Sequence, residues 1–296
     1  MVKWRVALVA ALVVLSACSS EKPSTQQTTQ KATQKPTTGT TSGESAGVTV
    51  VAAGDIACPQ SLACTDTSAL VEAQHPTAVL ALGDIQYERG ELQDFLAVYD
   101  KSWGRFKKIT HPTPGNHEYS TTGAGGYFAY WKVKPWYSID VGAWHIISLN
   151  SNCRSIGGCG PGSPMERWLR ADLAAHPAKC TLAFWHHPRW SSGLHGSDAG
   201  YDHLWSVLAD SAADVVLSGH DHHYERFAPD RGIRQFVAGT GGRSLYPVVN
   251  REQGSEVVND SAYGVLDLTL RPSGYDWEFV PAAASKFRDS GHTECR

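Results

Sequence analysis

Three histidines follow the apolar run Val215-Val216-Leu217 almost at once, in Ser218-Gly219-His220-Asp221-His222-His223. Neutral imidazole nitrogen is the commonest protein metal ligand, and Gly219 lets the chain turn sharply so that His220 and His222 emerge at the end of a strand. A lone His-x-His also serves as a polar turn, so its meaning depends on what accompanies it. Four other segments supply comparable groups: Gly54-Asp55, Gly83-Asp84-Ile85-Gln86-Tyr87, Gly115-Asn116-His117-Glu118 and His186-His187. A single Gly-Asp is an ordinary turn. Five such loops together offer hard oxygen donors and imidazoles, a mixture suited to Fe, Mn or Zn and poorly suited to Ca or a thiolate site.

The elements that must position these groups are legible as apolar runs. Val48 to Ala53, Ala78 to Leu82, Trp144 to Leu149, Thr181 to Trp185 and Asp214 to Leu217 read as strands buried on both faces. Helices are expected over Thr67 to Gln74, Glu91 to Lys101, Pro164 to Ala175 and Tyr201 to Ala209, the third with Ser163 as cap, Pro164 at the first helical position and Glu166 where a capping box places its acid. Arg234 to Ala238, Tyr263 to Leu270 and Tyr275 to Val280 alternate like antiparallel strands and predict a C-terminal meander. The fold class is therefore α/β, two sheets packed face to face with helices outside. In such sheets ligands gather beyond the carboxyl ends of strands, where these polar residues lie.

In this order, Gly-Asp, Gly-Asp-x-x-Tyr, Gly-Asn-His-Glu, the His186 segment and Gly-His-x-His resemble the calcineurin-like metallophosphoesterases, and within them the purple acid phosphatases. The resemblance implies a four-layer αββα sandwich of two mixed sheets, and a two-metal centre. Asp55, Asp84, Tyr87 and His222 would hold the first metal, and Asn116, His186 and His220 the second, with Asp84 bridging. A phenolate from Tyr87 favours Fe(III) at the first position; Zn, Fe(II) or Mn is expected at the second. Many calcineurin-like enzymes have histidine two residues after the first aspartate, whereas Ala57 stands there here and Tyr87 would replace that ligand.

The implied reaction is hydrolysis of phosphate esters, monoesters before diesters, by a water that the metal pair activates for in-line attack at phosphorus. His117 resembles the phosphate-contacting histidine that can act as general acid, and His195 stands where related enzymes have a second substrate-facing histidine, although an exposed loop histidine is an equal reading. Glu118 and Asp221 are expected to orient histidines, and Trp190 to line the substrate mouth. Arg226 and Arg243 would meet phosphate or pair with acids. The alternatives are a phosphodiesterase or nucleotidase on the same site, or a non-catalytic phosphate- or metal-binding lipoprotein.

Residues 1–18 carry Lys3 and Arg5, an apolar run from Val6 to Leu15 and then small residues, the pattern of a secretory signal. That run is shorter than the about 20 residues a membrane span needs. Leu15-Ser16-Ala17-Cys18 resembles a bacterial lipobox, so a lipid anchor at Cys18 on an exported protein is favoured over ordinary cleavage near Ala17. Residues 19–46 are rich in Ser, Thr, Gln, Lys and Pro and read as a disordered tether, leaving 47–296 as one folded domain. A net charge of -3 gives no basic face for nucleic acid, so a phosphate ester is the expected partner, with membrane contact only through Cys18. The remaining cysteines suggest bridges Cys58–Cys64, Cys153–Cys159 and Cys180–Cys295, with other connectivities open.

Overall fold

The central strands bury one set of alternate side chains between two sheets and the other set under helices. The computed structural model describes residues 47–57, 59–282 and 285–296; the expected signal, lipobox and linker fall outside them, as does Cys58 of the expected Cys58–Cys64 bridge. In chain order the elements are β1 (Val48–Ala53), α1 (Ala63–Gln74), β2 (Ala78–Leu82), α2 (Leu92–Ala97), β3 (Thr110–Thr113), α3 (Gly125–Trp131), β4 (Tyr137–Val141), β5 (Trp144–Ser148), α4 (Pro164–Ala175), β6 (Cys180–Phe184), α5 (Asp202–Asp210), β7 (Val215–Ser218), β8 (Tyr224–Phe227), β9 (Arg234–Ala238), β10 (Ser255–Asn259), β11 (Gly264–Leu270), β12 (Gly274–Pro281) and β13 (Ser290–Glu294). One sheet has the order β13-β12-β11-β1-β2-β3, the other β10-β8-β9-β7-β6-β5-β4.

Between the sheets lie Val50 and Ala52 of β1, Leu80 and Leu82 of β2 and Leu266 and Leu268 of β11, against Ile146, Leu182, Phe184, Leu217 and Phe236 of the second sheet. The intervening residues face outward: Val51, Ala53, Val79 and Ala81 pack with Val71, Phe95 and Tyr127 of α1 to α3, while Ile147, Ala183 and Val216 pack with Met165, Leu169, Leu204 and Leu208 of α4 and α5. The period of two thus gives the expected αββα layering.

β1, β2 and β3 pair parallel, as do β5, β6, β7 and β9. Parallel pairing brings the carboxyl ends of each set to one edge, and the loops beyond those ends carry the candidate ligands. The expected C-terminal meander needs correction. β11, β12 and β13 form one, but β9 belongs to the second sheet, parallel to β7 and antiparallel to β8. Alternation shows that a strand has two faces and says nothing about which neighbour it pairs with. Half-exposed β10 and β13 and the short, proline-containing β3 lack a strong apolar signal. α3 opens on two glycines, which are poor helix formers, and draws its stability from packing Tyr127, Tyr130 and Trp131.

The α4 boundaries are those expected, and Ser163 accepts a hydrogen bond from the Glu166 amide at 3.3 Å. Glu166 reaches back to the amide of Gly162 at 3.1 Å, one residue beyond the cap that the box motif predicts. Cys153–Cys159 and Cys180–Cys295 are both formed, the second joining residues 115 apart in sequence and fastening the C-terminal tail to β6. Closing so long a loop restricts the unfolded chain, so replacing Cys180 and Cys295 together by alanine should lower unfolding free energy by about 2–4 kcal/mol. Urea denaturation measures this, and an unshifted midpoint would contradict a stabilising role.

Candidate metal centre

All seven expected ligands meet at the shared edge of the two sheets. Tyr87 Oη lies 2.8 Å from Asp55 Oδ1, 3.2 Å from Asp84 Oδ2 and 3.1 Å from His222 Nε2. On the other side of Asp84, His186 Nε2 lies 3.2 Å from Asp84 Oδ2, 3.2 Å from Asn116 Oδ1 and 3.2 Å from His220 Nδ1. Asp84 Oδ2 is therefore common to both groups. Asp55, Asp84, Tyr87, His186 and His222 are almost wholly buried.

The tautomers show what these contacts require. His222 Nδ1 is 2.7 Å from the Ser244 carbonyl and His186 Nδ1 is 2.9 Å from the Leu82 carbonyl. A carbonyl only accepts, so each Nδ1 carries a proton and Nε2 is the nitrogen that turns inward, able to offer a lone pair once its own proton is lost. A phenol has one proton for three acceptors within 3.2 Å. Lone pairs crowded in this way call for cations, and a donor set of carboxylate, amide, phenol and imidazole fits metals of the Fe, Mn or Zn type.

Titration behaviour follows the same geometry. Burial opposes a charge on His186, but Asp84 outweighs it and the imidazolium is pushed up to about 9. Burial would raise Asp84, yet His186 and His117 hold its carboxyl well below the usual range. Burial, then Asp55 and Asp84, push the Tyr87 phenol well above its ordinary value. Burial, reinforced by His186, lowers His220, and lowers His187 to about 3.

The backbone is bent to bring the donors in. Asp55, Asp84 and His220 have φ of 58°, 46° and 73°, in the left-handed region that L-residues avoid. At Gly219, expected to supply the turn, the structure gives the positive φ to His220 instead. A Cβ at Gly219 would lie 2.6 Å from Asp55 Oδ2, so the glycine is there for close approach. A Cβ at Gly115 would lie 2.1 Å from Asp84 Oδ1 for the same reason.

Glu118 and Asp221 hold loops, where the sequence suggested that they orient histidines. Glu118 accepts from the amides of Ile85, Gln86 and Gly115 at 2.9, 3.1 and 2.7 Å, locking the Asp84 loop to the Asn116 loop. Asp221 accepts from the His195 amide at 2.9 Å and from the Ser191 hydroxyl. His186, His222 and His117 are each oriented by a backbone carbonyl, the last through Nδ1 at 2.6 Å from the Glu88 carbonyl. His117 Nε2 sits 3.9 Å from Asp84 Oδ2, and the exposed His195 ring stands 4.3 Å from that of His220.

Arg226 pairs with Asp289 and Glu256, away from the centre, whereas Arg243 pairs with Glu88 and covers the Tyr87 ring at 4.8 Å. His223 is buried against Glu225. Trp190 lines a separate cavity with Phe227, Asp230 and Gln253, so it is not at the substrate mouth. Sequence reading named Arg243 but missed the part its loop after β9 plays, where the Arg243 amide donates to Asp55 O at 2.8 Å and Tyr246 stacks on His222 at 4.1 Å. Its signal was Gly239-Thr240-Gly241-Gly242 directly after an apolar strand.

Residues 48–224 match the family described as Calcineurin-like phosphoesterase. The chain is similar to the protein Rv2577 of Mycobacterium tuberculosis, 31% identical over 192 residues that cover 55% of this chain and 35% of the relative. It is also similar to purple acid phosphatase 22 of Arabidopsis thaliana, 26% identical over 191 residues, 53% of this chain and 40% of the relative. The matched part thus spans well under half the length of these relatives. Among solved structures, the purple acid phosphatase PPD1 of yellow lupin, Lupinus luteus, superposes with a TM-score of 0.72 at 18% identity, over 85% of this chain and 54% of that one.

His186 and Tyr87 both favour their protonated forms, so metal loading must expel those protons. A histidine raised to about 9 is protonated at pH 7, so metal affinity should climb as pH rises toward about 9 and weaken below it. Calorimetry of loading in buffers of different ionisation enthalpy should show at least one proton released at pH 7. Absence of any release would contradict the assignment of His186.

Proposed function

Because the chain belongs to the calcineurin-like phosphoesterase family, we propose that it hydrolyses phosphate monoesters at a two-metal centre, in the manner of the purple acid phosphatases. The observation behind this reading is the convergence of Tyr87, two buried carboxylates, an amide and three imidazoles on Asp84 Oδ2 and its surroundings. Asp55, Tyr87 and His222 would hold one ion, Asn116, His186 and His220 the other, with Asp84 between them. The hard phenol oxygen of Tyr87 favours Fe(III) in its position, and the second set suits Zn, Fe(II) or Mn. When bound, such a pair neutralises phosphate oxygens and lowers the pKa of a water.

The chain's own residues supply the rest. His117 Nδ1–H is committed to the Glu88 carbonyl, so the ring presents Nε2 to the centre. In its protonated form Nε2–H can donate to the departing ester oxygen, which would otherwise leave as an alkoxide. His195 stands beside His220, its backbone fixed by Asp221, where its ring can donate a hydrogen bond to a phosphate oxygen. Glu118 keeps the two ligand loops in register while substrate comes and goes.

Replacing His117 by alanine should leave metal content intact and cut kcat by about 10²- to 10⁴-fold, whereas Asp84→Ala should lose both metals. Tyr87→Phe should abolish any visible iron-phenolate band. Full activity in Asp84→Ala would overturn the bridging role, and a protein that binds phosphate yet turns over neither mono- nor bis-(nitrophenyl) phosphate at any pH would overturn the enzyme.

We also propose export with a lipid anchor at Cys18, a reading supported by the two disulfides, which persist in oxidising compartments. Metabolic labelling with a fatty-acid analogue tests it: label should appear on the protein and vanish in Cys18→Ser, and an unlabelled protein would sink the anchor.

A further inference from the structure

A cleft of about 620 Å³ opens beside the metal centre, with Asn116 and His187 at its inner end and Ser151, Arg154, Asp198 and Tyr201 along its walls. Most of its polar groups already have protein partners. Ser151 Oγ is 2.7 Å from His187 Nδ1, Tyr201 Oη donates to the Ser151 carbonyl at 2.9 Å, and Asp198 Oδ1 takes the Gly200 amide at 2.7 Å. Arg154 differs. Among the described residues it is the one arginine whose guanidinium makes no hydrogen bond, ion pair or ring contact. The others are all engaged: Arg89, Arg105, Arg167 and Arg170, Arg189, Arg226, Arg231 and Arg234, and Arg243, Arg251, Arg271, Arg288 and Arg296.

The segment bearing Arg154 is held in place. Cys153 is bonded to Cys159, the Gly158 amide donates to Cys153 O at 2.9 Å, and the Ser155 amide donates to Asn152 O at 2.9 Å. Asn152 Nδ2 in turn donates to Pro114 O at 3.0 Å, tying this turn to the loop that carries Asn116. A short fixed turn, anchored to a ligand loop, therefore presents an uncommitted guanidinium to the space beside the reacting phosphate. Guanidinium recognises carboxylate and phosphate by paired, charge-assisted hydrogen bonds. An anion binding there breaks no existing protein contact.

We infer that Arg154 is a specificity-determining residue and that the cleft takes phosphate monoesters whose remaining part carries a second anionic group, a carboxylate or another phosphate. The inference rests on the phosphoesterase reading, with the ester phosphate at the metal centre and the rest of the substrate in the cleft. The Cys153–Cys159 bridge then has a part in recognition, since it fixes the turn that holds the guanidinium.

The test uses the metal-loaded protein and two matched pairs of probes. Binding of phenylphosphonate and 4-carboxyphenylphosphonate, which cannot be hydrolysed, is measured by calorimetry, and kcat and KM are measured on phenyl phosphate and 4-carboxyphenyl phosphate. The carboxylated member of each pair should bind about fivefold more tightly, as an exposed but well-oriented ion pair allows. In the esters the difference should fall on KM. Arg154→Ala should bring the ratio of dissociation constants to about one, Arg154→Lys should restore part of it, and Arg154→Glu should reverse it. Equal binding of both phosphonates by the unaltered protein, or a preference that survives Arg154→Ala, overturns the inference. Selective phosphonate binding with no turnover of either ester would sink the hydrolase reading and leave the anion subsite standing.

Discussion

Two buried carboxylates that face one another are the constraint on which the rest depends. Ligand atoms of Asp55, Asp84 and His186 lie within 4.8 Å of each other in the sandwich. At that separation two like charges repel by about 3 kcal/mol at an effective dielectric of about 20. Positive charge must be present to hold them together: the His186 imidazolium can supply part of it, the neutral Tyr87 phenol adds only hydrogen bonds, and cations can supply the rest.

Holding such a site costs backbone energy. Three ligand residues take left-handed φ at about 1–3 kcal/mol each, and glycines at 115 and 219 leave room where any Cβ would collide with a carboxylate. The compensation lies in the surrounding lattice of side-chain to backbone bonds. Glu118 spends both oxygens on amides of two different ligand loops, and the imidazoles are fixed by carbonyls of β2 and of the loop after β9. Except for Gly115, three residues before Glu118, these partners come from parts of the chain distant in sequence, and the His186–Leu82 bond joins the two sheets, so the centre is assembled only when both are packed. The apolar layer between them, from Val50 to Phe236, is in that sense part of the site.

Function also depends on what borders the centre. Tyr246 and Arg243 close it on the Tyr87 side, whereas the disulfide-bonded turn leaves the Asn116 side open as a cleft. The turn that frames it is tied to the loop carrying Asn116 through Asn152 and Pro114.

Most of the central strands, the four layers and the convergence of the seven candidate ligands were readable from residue order, because parallel strands in α/β sheets must send their carboxyl ends to one edge and the Gly-Asp, Asn-His and His-x-His loops all follow such ends. The α4 cap was readable too, since Ser163 and Pro164 act through local bonds. Local sequence could not decide that β9 joins the second sheet beside β7, that Glu118 and Asp221 fasten loops, or that Trp190 lies away from the mouth. It also hid Tyr246 and Arg154, an ordinary tyrosine and an ordinary arginine by type and spacing. Periodicity and turn chemistry are properties of neighbouring residues. Which carbonyl meets which imidazole, and which guanidinium is left without a partner, are settled only when segments far apart in the chain are brought within 3 to 4 Å of one another.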